Sequence, residues 1–364
     1  MQGHTVGLRP PGRVGLCACA LALAMFTTLG WSAGSASAAK RDADPLSLGA
    51  IAPRSAAGSV RDRVIQGGRR KLSIATAAVH AGRYPDGDGH AIAINVSDAY
   101  TNPTSRAQEL ASFLGTLLHG EEMNRLTAML ATPGEIRRLC GAGALACYFP
   151  DIEQIVVAGQ GAPRDDPPRE FLIAHEYGHH VATNRRNKPW SALARGTKRW
   201  SSYEGICGGI KRRRIRPGLY FENPGEAFAE AYAFYHYPSL ITWIWDIARP
   251  DQGSFDAIFE DVTSPWLRRS PLARARTFEP GSRRHVWSLP TPLDGRLLVE
   301  LDGPSGAEYD LILLAGNKRR VLRRAVGPGA DEQLRYTVCG KRAVRIVVRR
   351  VSGNGPFELT AARP

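Results

Sequence analysis

The sequence predicts an α+β protein in which a mixed region of strands and helices is followed by a small all-β sandwich. Between residues 71 and 276, short β-type runs alternate with segments of helical apolar spacing. After residue 278, short apolar runs are separated by Gly, Pro, Asp and Asn, as in antiparallel sandwiches. The 364 residues exceed one ordinary domain of about 150 residues, and a hydrophobic fraction of 43% is typical of globular chains. We therefore expect two folded parts.

The first 38 residues have the layout of a secretory signal peptide. Arg9 and Arg13 precede an apolar run over residues 14–31, and Ala36-Ser37-Ala38 offers a cleavage site with small residues. The alternative is a membrane anchor, but the run is short for a span of about 20 residues. The sequence therefore predicts a secreted protein with no membrane span after cleavage.

A linker or short pro-segment is expected over residues 39–66, which show little periodicity. The first folded part then covers residues 67–278. Its expected strands are residues 91–96, 126–130 and 152–158, and its first expected helices are residues 106–119 and 135–140. Asp166 and Pro167 are expected to begin a helix through residue 181, and Asn223-Pro224 another that ends near His236. A third helix is expected around residues 243–247.

The β-sandwich is expected over residues 279–364. Its expected strands are residues 297–301, 308–314, 318–325, 333–339, 343–351 and 357–361.

Four cysteines remain after signal cleavage, and an even number in an exported protein favours disulfides. Cys140 and Cys147 are close enough in sequence to close a small loop, and Cys207 would then pair with Cys339 by elimination. The alternative is four reduced or separately buried thiols.

The segment His175-Glu176-Tyr177-Gly178-His179 carries the strongest chemical signal. On a helix, His175 and His179 lie four residues apart and project from one face, where they can bind one metal ion. Glu176 is then placed to contact a water activated by that ion. Zn²⁺ held by three protein groups keeps one position open for such a water.

A third ligand is expected from the helix that begins at Asn223-Pro224. Glu226 lies in its first turn and Glu230 one turn later on the same face. We expect Glu226 to bind the ion and Glu230 to accept a hydrogen bond from a ligand histidine, as carboxylates near metal-bound imidazoles usually do. The alternatives are a glutamate favoured by the helix dipole and an exposed helix glutamate.

These two helices and the strand before them resemble the gluzincin branch of the zinc metallopeptidases, to which thermolysin belongs. The resemblance implies a zincin-like catalytic domain, with a mixed sheet, the HExxH helix and a second ligand helix. It implies His175, His179 and Glu226 as Zn²⁺ ligands and Glu176 as general base in peptide hydrolysis. It also implies that residues 152–158 form the edge strand along which a peptide or protein substrate lies.

A tetrahedral oxyanion needs a hydrogen-bond donor besides the metal. By sequence proximity, four residues are candidates: Tyr220, Tyr232, Tyr235 and His236. His180 points away from His179 on the helix and is not expected to be a ligand. The other histidines, His80, His90, His119 and His285, have no paired spacing and are assigned no site role.

The C-terminal part has its own resemblance. Residues 293–299 and 303–313, with the later strands ending at residues 355–359, are similar to the bacterial pre-peptidase C-terminal domain. That family consists of β-sandwiches appended to secreted peptidases. The resemblance implies an accessory role in secretion, solubility or substrate binding, with no catalytic residue.

The net charge is +14, but no helix-turn-helix or aromatic-interleaved pattern accompanies the arginine runs. We expect no nucleic-acid partner, and interpret the charge as a solvated face or one for anionic surface polymers. The leading prediction is a secreted, monomeric zinc metallopeptidase. The alternatives are a non-catalytic zincin-like protein that binds anionic cell-surface polymers, and a zinc hydrolase acting on a non-protein amide.

Overall fold

The structure, a computed structural model, describes residues 64–65, 79–159, 167–239, 242–267, 271–316, 320–340 and 342–364. The predicted signal peptide, residues 1–38, lies outside the described residues, as does the predicted linker except for Val64 and Ile65. Within the described residues, no helix is both long enough and apolar enough to cross a membrane.

A five-stranded mixed sheet forms the centre of the first part. Its strands are β1 (Val79–Pro85), β2 (Ala91–Ser97), β3 (Thr127–Ala131), β4 (Cys147–Phe149) and β5 (Gln154–Ala158). The order is β1-β2-β3-β5-β4, with parallel pairing in the middle and antiparallel pairing at both edges. Strand β2 lies inside the sheet because its alternate residues Ile92, Ile94 and Val96 are apolar and fully buried on one face.

The position of β5 contradicts one expectation. We predicted that residues 152–158 form a sheet edge, but β5 pairs with β3 on one side and with β4 on the other. The edge strand is β4, which the sequence did not predict. Ile65 lies beside that edge, and its backbone N–H donates to the carbonyl of Tyr148 at 3.0 Å.

Helices cover the sheet and build the rest of this part. They are α1 (Pro103–Gly115), α2 (Pro133–Cys140), α3 (Arg169–Thr183), α4 (Ala192–Arg195), α5 (Lys198–Tyr203), α6 (Ile206–Lys211), α7 (Pro224–His236) and α8 (Gln252–Thr263). Two 3₁₀ turns cover Glu121–Arg125 and Tyr220–Glu222, and a short hairpin pairs β6 (Arg186–Asn187) with β7 (Trp190–Ser191).

Helix boundaries follow the local capping chemistry. Thr132 and Glu135 form a capping box at α2, and the Asn223 side chain accepts from the Gly225 N–H at the start of α7. Helix α3 begins at Arg169, later than predicted, with Pro168 at its N-cap position. The helix predicted around residues 243–247 is absent from the described residues, where α8 begins instead after the capping Asp251.

Two four-stranded antiparallel sheets form the C-terminal part around a common apolar core. One has the order β13-β10-β15-β8 and the other β12-β11-β14-β9. The strands are β8 (Leu272–Phe278), β9 (Arg284–Thr291), β10 (Gly295–Asp302), β11 (Glu308–Ala315), β12 (Val321–Ala325), β13 (Glu332–Val338), β14 (Arg342–Ser352) and β15 (Gly355–Ala362). The sandwich therefore starts at β8, before the predicted boundary at residue 279. The predicted mixed α+β class is confirmed, and the C-terminal part is sandwich-like.

Both cysteine pairs are disulfides, Cys140–Cys147 within the first part and Cys207–Cys339 between α6 and the end of β13. Near the second bridge, the buried Lys198 Nζ donates to the carbonyl of Lys188 at 2.9 Å and to that of Asp294. The sandwich is thus joined to the helical part covalently and by hydrogen bonds. Disulfides are typical of an oxidising environment outside the cytosol.

Candidate metal centre

Helix α3 places the two histidines of the HExxH segment on one buried face. The rings of His175 and His179 are 4.9 Å apart between centroids and are 1% and 0% exposed. The helix is buried on most of its surface, which keeps both imidazoles inside the protein. Glu176 follows His175 directly and is also fully buried.

Helix α7 brings Glu226 to the same place. Its Oε2 atom lies 3.1 Å from the Nε2 atom of His179 and 3.5 Å from the Nε2 atom of His175. Bonds of about 2.0–2.1 Å to a tetrahedral ion would place two ligand atoms about 3.3 Å apart. The three side chains therefore fit a metal ion of that size, and His175, His179 and Glu226 form one of two groups in the described residues that could hold one.

Gly178 allows the two ligand helices to approach this closely. A Cβ atom at position 178 would lie 2.9 Å from the Cα of Ala229 and 3.1 Å from its carbonyl oxygen. Any larger residue would push α7 away from α3, and Glu226 would move with it. The glycine inside the HExxH segment thus has a packing reason.

Glu230 orients the imidazole of His175. Its Oε2 atom lies 3.0 Å from the Nδ1 atom of His175, so that Nδ1 donates to this carboxylate and Nε2 points towards Glu226. The geometry matches the relationship predicted for Glu230 from the one-turn spacing of the two glutamates.

The two histidines lower the pKa of Glu226. Burial raises the pKa of Glu226, but the imidazoles of His179 and His175 outweigh that effect and hold it below its usual range. Glu226 is therefore a carboxylate in the fold, which is the form that binds a cation.

The four predicted oxyanion donors have contacts on and beyond α7. The Tyr232 hydroxyl donates to the carbonyl of Leu118, and the His236 Nε2 atom accepts from the backbone N–H of Leu118 at 3.1 Å. Tyr235 packs against Phe255. Tyr220 packs against Trp245 with ring centroids 5.1 Å apart.

His180 supports the helix from its other side. Its Nε2 atom lies 2.9 Å from the carbonyl oxygen of Glu122 and its Nδ1 atom lies 3.2 Å from the hydroxyl of Tyr148. The Glu122 carboxylate also accepts from the Tyr177 hydroxyl at 3.0 Å and from Arg185 at 2.7 Å. This buried network ties α3 to the loop that follows α1.

Tyr148 is a site residue that the sequence did not reveal. It lies on the edge strand β4, and its ring is nearly parallel to that of His179 at 6.4 Å between centroids. Nothing in the three residues of β4 indicates this role, because only the fold brings β4 to α3.

No family model matches the chain, and no curated protein matches it significantly. Among solved structures, the pre-peptidase C-terminal domain of a Bacillus anthracis collagenase is similar over 25% of this chain and 88% of its own, with 11% identity and a TM-score of 0.23. A mitogen derived from Yersinia pseudotuberculosis is similar over 26% of this chain and 86% of its own, with 14% identity and a TM-score of 0.21. These scores are too low to support an argument about fold or function.

Proposed function

We propose that this protein is a secreted zinc-dependent metallopeptidase of the gluzincin type with a zincin-like first domain. The observation that supports this most is the convergence of His175 and His179 from α3 with Glu226 from α7, at distances close to the edges of a zinc tetrahedron. A purely structural site has no need for a further buried acid directly after a ligand histidine, whereas a hydrolytic site does. Glu176 is that acid.

His175, His179 and Glu226 would hold Zn²⁺, which supplies a Lewis acid and an activated water when bound. The Glu176 carboxylate takes a proton from the attacking water as the water oxygen bonds to the peptide carbon. The same carboxyl group then delivers the proton to the amine nitrogen as the C–N bond breaks. Glu230 keeps the His175 ring in its ligand orientation throughout.

The outer edge of β4 offers a binding site for the backbone of a peptide substrate. Tyr148 joins this strand to the metal-binding helix, and its carbonyl accepts a hydrogen bond from an extended neighbour, Ile65. A substrate backbone would bind the same edge by strand addition. Ile65 belongs to the segment we predicted as a linker or pro-segment, so that its removal would free the edge for substrate.

A Glu176→Gln variant tests the proposal. It should still bind one equivalent of zinc at this site, because the ligands are unchanged, while chelator-sensitive hydrolysis of casein or a peptide library falls by at least about 100-fold. The matched control is Glu170→Gln, an exposed glutamate on the same helix, which should keep full activity. Hydrolysis at the wild-type rate by zinc-loaded Glu176→Gln protein would rule the mechanism out. Wild-type protein that binds zinc but cleaves only non-protein amides would support the third hypothesis instead.

The binding-protein alternative has one observation in its favour. Arg274 and Arg276 on β8 and Arg284 on β9 are exposed, at sandwich edges that carry aromatic contacts between Phe278 and His285. These arginines suit an anionic polymer. Retention on a heparin column that disappears in an Arg274→Ser, Arg276→Ser variant, together with no hydrolysis by wild-type protein, would favour this function.

A further inference from the structure

A second group of metal-ligand side chains lies outside the centre on α3 and α7. Asp86, Asp88 and His90 are in the turn between β1 and β2, and His119 lies in the loop after α1. The side chain of Asp86 is fully buried, whereas those of His90 and His119 are 16% and 9% exposed. Sequence spacing gave no reason to connect them, because His90 and His119 are far apart along the chain.

Distances in this group are those of a small-ion site. The Oδ2 atom of Asp86 lies 2.8 Å from the Nδ1 atom of His90 and 3.7 Å from the Nε2 atom of His119. These values lie on either side of the separation of about 3.3 Å between ligands of a tetrahedral zinc ion. The Oδ2 atom of the exposed Asp88 is 3.9 Å from the same Nε2 atom and can supply a fourth ligand atom.

The tautomer of His119 is set by its other nitrogen. Nδ1 lies 2.6 Å from the carbonyl oxygen of Leu117, so it donates there and leaves Nε2 to face the two aspartates. In the described residues, the ion-pair partners of Asp86 are His90 and His119 alone. A cation between them would be attracted by both carboxylates and by the lone pair of Nε2.

Backbone hydrogen bonds hold Asp86 ready for that cation. Its Oδ1 atom accepts from the N–H groups of Asp88 and His90 at 2.8 and 3.0 Å, which leaves Oδ2 for the histidines. The turn is also pressed against the end of α1, since a Cβ at Gly115 would lie 2.3 Å from the Asp86 carbonyl oxygen. The site is thus positioned by packing as well as by its own contacts.

We propose that Asp86, His90 and His119 form a second, structural site for a divalent transition-metal ion such as Zn²⁺, with the exposed Asp88 as a fourth ligand. The ion would fasten the β1–β2 turn to the loop over residues 117–122. That loop carries Leu118, which α7 holds through Tyr232 and His236, and Glu122, which supports α3. Two imidazoles with carboxylate oxygens suit Zn²⁺ better than Ca²⁺ or Mg²⁺.

Zinc stoichiometry tests the proposal without reference to activity. Metal-free protein dialysed against Zn²⁺ should hold two equivalents by mass spectrometry of the metal, and a His90→Ala, His119→Ala variant should hold one. His80→Ala is the matched control, because His80 is exposed on β1 outside the group, and it should hold two. A wild-type protein that binds one equivalent, unchanged in the His90→Ala, His119→Ala variant, would show an ion pair rather than a metal site.

A second variant separates metal loss from misfolding. His119→Gln keeps a donor near the Leu117 carbonyl, and its far-UV circular dichroism should match that of wild type. Zn²⁺ should raise its Tm by less than it raises the Tm of wild type or His80→Ala. Equal rises in all three would overturn the proposal. In a His175→Ala, His179→Ala protein one equivalent should remain, so the second site can fail or succeed independently of the peptidase proposal.

Discussion

The Nδ1 atom of His175 lies 3.0 Å from the Oε2 atom of Glu230, and this hydrogen bond decides which nitrogen of the imidazole points towards Glu226. Carboxylates in this position increase the basicity of the ligand and fix its ring. The relationship joins the two helices through a pair that is 55 residues apart in sequence.

Glu230→Gln should weaken zinc binding by about 10–100-fold, because an amide holds the imidazole less strongly than a carboxylate does. The measurement is competition with a chromophoric chelator. Glu170→Gln, on the exposed side of α3, serves as the control and should leave the affinity unchanged. An affinity equal to that of wild type in Glu230→Gln would contradict the orienting role.

Gly178→Ala should reduce the free energy of unfolding by about 1–3 kcal/mol, because the added Cβ would overlap the backbone of Ala229. The displaced α7 should also lower zinc affinity. Urea denaturation and metal analysis would measure the two effects. Gly134→Ala in α2 is the comparison, since its nearest neighbours would be 3.9 Å away, and it should cost little. If both variants unfold at the same urea concentration, the close approach of the helices is unimportant.

Lys198 should make stability depend on pH. Burial lowers the pKa of its ammonium group from 10.5 to about 8, although Asp294 and Asp261 act in the other direction. The folded state therefore binds this proton less tightly than the unfolded chain does. The destabilisation caused by burying the charged ammonium group is fully present below pH 8 and disappears as the pH rises towards 10.5. The free energy of unfolding should gain up to about 3 kcal/mol over that range.

The Lys198→Met variant provides the reference for this effect. Its overall stability should be lower near neutral pH, because the carbonyls of Lys188 and Asp294 lose a donor. Between pH 8 and 10, the free energy of unfolding of Lys198→Met should rise by less than that of wild type, as measured by urea unfolding at each pH. Parallel pH curves for the two proteins would show that Lys198 does not titrate in this way.

Removing the disulfide between Cys207 in α6 and Cys339 after β13 should lower the free energy of unfolding substantially. Cys207 and Cys339 are separated by 132 residues, whereas Cys140 and Cys147 are separated by 7. In the chain-entropy description, the long loop contributes about 4–5 kcal/mol and a short one less. Cys207→Ser, Cys339→Ser protein should therefore unfold at a lower urea concentration than Cys140→Ser, Cys147→Ser protein. The reverse order would mean that local packing around the short loop outweighs chain entropy.

Local patterns were sufficient for several features of this protein. The strand β2, the helices α2 and α7, and the sandwich strands β10 to β15 were predicted from periodicity and capping, because those properties belong to neighbouring residues. The sandwich strands β8 and β9 were not predicted. The two histidines of α3 were placed on one face by the same reasoning. The number and spacing of the cysteines favoured the two observed disulfides, with reduced thiols as the alternative.

Other predictions were wrong where tertiary contacts determine the secondary structure or the order of strands. Trp245 and Ile247 are buried in the core without a helix, because burial there comes from packing against other elements and not from helical spacing. Strand β5 is apolar and was taken for an edge, but a three-residue strand, β4, pairs along its outer side. Such a short strand has too few residues to show a period.

The sequence by itself indicated the candidate metal-binding residues of α3 and α7, the two helices that carry them, and a sandwich after them. Only the tertiary structure decided that Glu226 reaches His179, that Tyr148 lies beside it, and that His90 and His119 meet across a turn and a loop. The reason is physical: helical and strand periods are set within a few residues, whereas convergence of distant side chains depends on how the elements pack.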